Sequence, residues 1–184
     1  KGGKVMAFGD EKTLLYGTKG DDSIMFIASF KVPESWITQN GIDFNNKEEV
    51  LAWFKSTYAD WSDEWHEFLT SNELNFILRP QYHFPLNQSW KTLDNLTMIG
   101  DAAHRMPPFA GEGANVAMQD AFELAACLTG NKFPNILTAI SSFEKQMVTR
   151  GAMATQETLV NTEIMHSKTA MEQMLDFFSL KPSK

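Results

Sequence analysis

Apolar and β-favouring residues open the chain in three runs, Val5–Phe8, Thr13–Tyr16 and Ser23–Lys31. Turn-rich stretches separate them: Gly9-Asp10-Glu11, then Gly17-Thr18-Lys19-Gly20-Asp21-Asp22. This pattern predicts an antiparallel meander that Pro33 ends. Asn46-Lys47-Glu48-Glu49 then places an acid three residues after a capping residue, which predicts a helix burying Val50, Phe54 and Tyr58. Ser62-Asp63-Glu64 predicts a second helix, with acids at its positive end and Trp65, Phe68 and Leu69 turned inward. Asn75–Phe84 reads as a strand again, with Pro80 forcing an edge or a bulge.

The second half changes character. Leu96-Thr97-Met98-Ile99 stops at Gly100-Asp101, the pattern of a buried strand in a doubly wound sheet. A loop over 102–112 follows. Ala114, Ala117, Met118, Ala121, Leu124, Ala125 and Leu128 then recur at helical spacing and predict one apolar face for close packing on a sheet. Gly130-Asn131 ends that helix. From Asn135 the pattern is helical nearly to the end, with a stripe of Ile136, Ile140, Phe143 and Met147. Gly151 weakens it by about 1 kcal/mol relative to alanine. A methionine-rich tail follows (Met153, Met165, Met171, Met174), and no internal repeat is visible.

The chain has 184 residues, 43% of them apolar, which allows one domain or two small ones. A formal net charge of -7 and only three arginines argue against a nucleic-acid partner. Cys127 is the single cysteine and has no internal partner, so a reducing, cytoplasmic setting is expected. Apolar runs are too short for a membrane span, and no signal peptide is apparent. The start, Lys1-Gly2-Gly3-Lys4-Val5, reads as a cut into a longer chain.

Candidate chemistry sits at 96–116. Ligands of open α/β sheets bind beyond the carboxyl ends of strands, where Asp101 is expected. A carboxylate there can accept hydrogen bonds from ligand hydroxyls. Pro107-Pro108 stiffens the loop, and Gly111 and Gly113 let the backbone approach a flat ligand. The helix start then offers free N–H groups and a partial positive charge. A plain strand-loop-helix connection is the competing reading of any one of these residues. Gly111-x-Gly113-x-x-Val116 is a near miss to a dinucleotide fingerprint, but it does not follow directly on a strand. His66, His83 and His166 show no metal-ligand spacing, so no metal is expected. His104 is expected to support the loop rather than catalyse.

Thr97-Met98-Ile99-Gly100-Asp101-Ala102-Ala103-His104, then Met106-Pro107-Pro108-Phe109-Ala110-Gly111, then Gly113 and Asn115, resembles the second flavin motif of the para-hydroxybenzoate hydroxylase-like monooxygenases. Within that family it resembles the tetracycline-inactivating, Tet(X)-like group. The likeness extends over Ser29-Phe30-Lys31, Asp43-Phe44, Asp60-Trp61, Phe84-Pro85-Leu86, Trp90-Lys91 and Glu144-Lys145-Gln146-Met147. It implies that Asp101 binds the ribityl and pyrophosphate part of FAD. Pro108, Gly111, Gly113 and Asn115 would line the flavin ring. NAD(P)H would be the reductant, oxygen the oxidant, and an aromatic or polycyclic small molecule the substrate. No catalytic acid or base is required from this half. The resemblance also implies that an N-terminal half, with its own fingerprint, completes the site.

Lys4 and Met25 stand where the tetracycline-acting group carries an arginine and a histidine that touch substrate. Lysine lacks the planar fork of arginine, which weakens the specific match to tetracycline. Met6, Tyr16, Met25, Phe109 and Met165 are the candidate substrate-pocket residues. Flavin-dependent halogenases share the Gly-Asp strand end, and a non-catalytic substrate-domain fragment is a third reading. The expected fold is α+β. Residues 1–92 would form a partial substrate domain, a β-sheet with helices over it. Residues 93–133 would give a strand, loop and helix to a FAD-binding domain, and 134–184 a long bridging helix.

Overall fold

The first hairpin turn is made by two residues with positive φ, Asp10 (48°) and Glu11 (59°). This is the backbone that matches the twist of a two-residue hairpin. It joins β1 (Lys4–Gly9) to β2 (Lys12–Thr18), and β3 (Ile24–Phe30) completes a three-stranded antiparallel sheet in the order β1-β2-β3. The structure, a computed structural model, describes residues 3–70 and 74–179. The meander is therefore present where the sequence predicted it. Its register pairs Leu14 with Ala7 on one side and with Ala28 on the other.

Residues opposite one another in antiparallel strands share a face. Val5, Ala7, Leu14, Tyr16, Phe26 and Ala28 therefore share one face, and Met6, Phe8, Leu15, Met25 and Ile27 share the other. The first face carries the core. Leu14 is fully buried and clusters with Phe54, Tyr58 and Leu69, ringed by Phe26, Ala28, Trp53, Trp61 and Trp65. A short α1 (Trp36–Gln39) precedes α2 (Lys47–Thr57) and α3 (Asp63–Glu67). The Asn46 side chain accepts the N–H groups of Glu48 and Glu49. Glu49 returns the contact through the Asn46 side-chain amide at 2.8 Å and also takes the Asp43 N–H at 2.9 Å.

The chain divides into two compact units, Lys1–Pro80 and Gln81–Lys184. The second contains α4 (Asp101–His104), a 3-10 turn at Pro108–Ala110, α5 (Gly113–Thr129), α6 (Ile136–Met165) and α7 (Ala170–Ser179). Its core joins Ala103 to Phe143 and Met147 of α6, with Trp90, Leu124, Cys127 and Val148 packed around them.

Four expectations need correction. Asn75–Phe84 forms no strand. Pro80 removes a donor, and no strand pairs with the segment among the described residues. Leu96–Ile99 likewise pairs with no strand, and Leu96 is 63% exposed. A strand needs a ladder partner, and the described residues supply none there. The long helix expected over 134–184 is, among its described residues, two helices, α6 and α7, broken after His166, which caps α6. The predicted face of α5 is buried only in part: Leu124 packs in the core and Ala117 is half-buried. Val116 and Asp120 are buried, while Met118 and Leu128 are 64% and 47% exposed. The α5 helix is apolar on two sides, and α6 takes the side that carries Val116, Asp120 and Leu124.

Candidate functional site

The site begins with a turn that glycine alone makes without strain. Gly100 has a φ of 58°, and a Cβ built on it would lie 3.0 Å from the Cβ of Ala117. Its carbonyl accepts the N–H groups of Ala103 (2.8 Å) and His104 (2.9 Å), which starts α4 with Asp101 as its first residue. Asp101 thus heads a helical turn instead of ending a strand, and it is exposed. The Gln88 amide donates to the Ala103 carbonyl at 2.5 Å, and the Phe84 N–H donates to the Arg105 carbonyl at 3.1 Å. Both contacts hold α4 against the preceding chain.

A buried polar cluster lies behind this turn. Asp120 of α5 is fully buried. Its Oδ2 accepts the Gly100 N–H at 2.9 Å and meets His104 Nε2 at 2.5 Å. Arg150 of α6 donates to Asp120 Oδ1 and to Glu123 Oε2, each at 2.8 Å. Burial pushes the Asp120 carboxyl upward. The hydrogen bonds from Arg150, Gly100 and His104 together outweigh it and hold the group below its ordinary value. Because Asp120 is an acceptor, His104 Nε2 carries the proton of their bond. Gly151 of α6 leaves the room His104 needs.

The loop is clamped from α6. Thr158, fully buried, donates to the Pro107 carbonyl at 3.0 Å and accepts the Ala110 N–H at 2.9 Å. Asn161 donates to the Phe109 carbonyl at 3.4 Å, and the Phe109 ring meets His166 edge-on at 5.1 Å. Further back, the buried Glu144 accepts the hydroxyls of Thr92 (2.5 Å) and Thr97 (2.8 Å), which ties the segment before Gly100 to the same helix.

Gly111 ends the 3-10 turn in the left-handed region, with a φ of 71°. A Cβ at Gly111 or at Gly113 would meet nothing within 4 Å, so the backbone there faces open space. Glu112 precedes α5 and gives no side-chain cap, which leaves the first N–H groups of a 17-residue helix available to a ligand. Asn115 lies in that first turn, 3.5 Å from Glu112 Oε2.

The structure therefore gathers Asp101, Pro108, Gly111, Gly113 and Asn115 into one stretch of turn, loop and helix start in the second unit. The substrate candidates divide. Met6 and Met25 share the sheet face away from the aromatic core, whereas Tyr16 is on the core face, its ring 4.7 Å from that of Phe68. Phe109 and Met165 belong to the second unit, and Met165 is buried. Cavities of about 200 and 350 Å³ in the first unit contain none of these residues. Sequence reading missed Asp120, Thr158 and Arg150. The available signal for Asp120 was an acid set among alanines and leucines on a helix.

The sequence profile of the FAD binding domain family matches residues 45–151, more than half of the chain. The chain belongs to the FAD binding domain family. The FAD-dependent monooxygenase phnB of Penicillium herquei is 33% identical over 152 residues, covering 77% of this chain and 37% of that protein. Kynurenine 3-monooxygenase of Salinispora tropica is 42% identical over 55 residues, covering 30% of this chain and 12% of that protein. Among solved structures, Klebsiella pneumoniae HpxO complexed with FAD and uric acid shares the fold, with a TM-score of 0.66 at 16% identity. That likeness covers 96% of this chain and 43% of HpxO. The chain thus spans less than half the length of these relatives.

The residues present fit this family's cofactor. The open glycine backbone gives a planar ring access, the uncapped helix start offers donors, and Asp101 offers an exposed acceptor for hydroxyls. Among the described residues, no cluster of histidine, cysteine or carboxylate side chains is suited to hold a metal, and no helix is long and apolar enough to cross a membrane.

Proposed function

We propose that this chain supplies the second half of the flavin site in an NAD(P)H- and oxygen-dependent monooxygenase acting on an aromatic or polycyclic small molecule. The observation that carries the reading is the clamped turn, loop and helix start from Gly100 to Asn115. It presents an acceptor, two open glycines and free N–H groups in sequence. Asp101 accepts hydroxyls of the ribityl chain. Pro108 and the backbone at Gly111 and Gly113 would line the ring, with Asn115 at the helix start. When bound, FAD supplies hydride acceptance from NAD(P)H and the activation of oxygen. The chain's own part would be to orient the cofactor, and the positive end of α5 would favour negative charge on it. No side chain of this stretch is required as a general acid or base.

Residues 1–92 form part of the substrate domain in this reading, with Met6 and Met25 on the substrate-facing side of the sheet. Tyr16 then supports the sheet from its core face. Phe109 and Met165 remain substrate candidates from the second unit. Flat, fused or single aromatic rings are the substrate class, consistent with HpxO binding uric acid, and a tetracycline-like polycycle falls within it. The exposed Leu96, Met98, Met118 and Phe122 are covered by the preceding portion of a longer protein, in a cytoplasmic setting.

The test is a visible spectrum of the purified chain, recorded alone and together with that preceding portion. The visible absorption of an oxidised flavin is expected in the second case. A colourless assembly would overturn the flavin reading. NADPH oxidation that rises with none of a panel of aromatic and polycyclic compounds would overturn the hydroxylase reading alone.

A further inference from the structure

We propose that Asp120 is a positioning residue for the flavin-holding turn, aiming the Asp101 carboxylate that it does not itself touch. The proposal rests on the reading that Asp101 holds FAD. Asp120 ties both ends of α4. One carboxylate oxygen takes the Gly100 N–H before the helix at 2.9 Å and His104 Nε2 at its end at 2.5 Å. Asp101 is the first residue between those two anchors. Ala117, three residues earlier on the same face of α5, occupies the space that a Cβ on Gly100 would need, so only glycine fits where Asp120 takes the N–H. Rotation of α4, and with it Asp101, would break both bonds to Oδ2.

The other oxygen is spoken for. Arg150 donates to Oδ1 at 2.8 Å and leaves that oxygen facing a cation. A neutral isostere cannot serve all three donors. In Asp120→Asn the amide nitrogen must face either Arg150 or the Gly100 and His104 pair, and each choice sets donor against donor. A carboxylate is therefore needed for geometry as well as charge.

The experiment is a double-mutant cycle in the complete flavoprotein, read as the FAD dissociation constant. Asp120→Asn is expected to weaken FAD by about tenfold, and to have almost no further effect when Asp101 is already alanine. His104→Gln is run in the same cycle, because it keeps a donor toward Asp120 and disturbs the core less. It is expected to show a smaller loss, equally absent in the Asp101→Ala background. Losses that add in full would overturn the positioning role, since damage to the core acts whether or not Asp101 is present. No effect of Asp101→Ala on FAD binding would overturn the assignment of Asp101 to FAD, and the proposal with it.

Discussion

Gly151 of α6 and His104 of α4 approach so closely that a Cβ built on Gly151 would lie 2.7 Å from the Cβ of His104 and 2.8 Å from its Cγ. The glycine sits inside a continuous 30-residue helix, and its cost there is local. It lets the imidazole pass α6 and reach Asp120, while the neighbouring Arg150 reaches the same carboxylate from α6.

This contact reverses an ordinary expectation. Glycine to alanine in a helix interior stabilises by about 1 kcal/mol. At Gly151 the methyl group would overlap a buried ring, and overpacking costs about 1–3 kcal/mol. Gly151→Ala is therefore expected to lower stability, measured by thermal or urea denaturation of the chain. A rise in the midpoint would show that α6 and α4 can separate without loss.

The Thr158 hydroxyl holds the loop at two points, and its replacement by valine keeps the shape but removes both bonds. The Pro107 carbonyl and the Ala110 N–H would each lose a partner. Leaving a buried polar group unsatisfied costs about 1–3 kcal/mol. Thr158→Val is expected to destabilise the chain by roughly that amount and to weaken FAD binding in the complete protein. Thr158→Ser keeps the hydroxyl and should restore most of both, as read by denaturation and by flavin titration.

Local patterns were legible wherever the chain carries its own partners. The meander, the Asn46 cap and the inward Phe54 and Tyr58 follow from spacing and turn chemistry over a few residues. The Gly100–Asn115 stretch was visible as a loop because its prolines and glycines are adjacent in sequence. Two kinds of feature escaped. Leu96–Ile99 and the Met118 side of α5 carry the pattern of buried elements, but nothing among the described residues covers them. Asp120, Arg150 and Thr158 escaped because their meaning depends on contacts 16 to 51 residues away. A periodicity that scores apolar positions treats each of them as a gap.

Glu144 offers a separate check on how the segment before Gly100 is held. Its two oxygens accept from Thr92 and Thr97, and it is buried. Glu144→Leu would strand both hydroxyls and is expected to cost about 2 kcal/mol. Glu144→Gln retains one acceptor oxygen, and a hydroxyl can rotate to accept from its amide, so a smaller loss is expected. Proteolysis between residues 91 and 99 should quicken in the leucine variant. Equal stability of both variants with the parent would show that the two threonines do not anchor the segment.

Acid should expose the contribution of Asp120. Its carboxyl is held below the ordinary value in the folded chain, since Arg150, Gly100 and His104 outweigh the burial that opposes them. The sign follows from linkage. Above the unfolded-state value both states are ionised, and the stabilisation is fully present. As pH falls below that value the unfolded chain takes up the proton first, so stability drops until the folded group is protonated too. Asp120→Asn has no such proton to gain. Removing one member of a buried ion pair costs about 3 kcal/mol near neutrality. The gap in stability between the parent and Asp120→Asn is therefore expected to be widest near pH 7 and to shrink below about pH 4. Urea denaturation of both proteins across that range measures it, and the other carboxylates cancel in the difference. A gap that stayed constant into acid would mean that the Asp120 carboxylate is not held by its three donors.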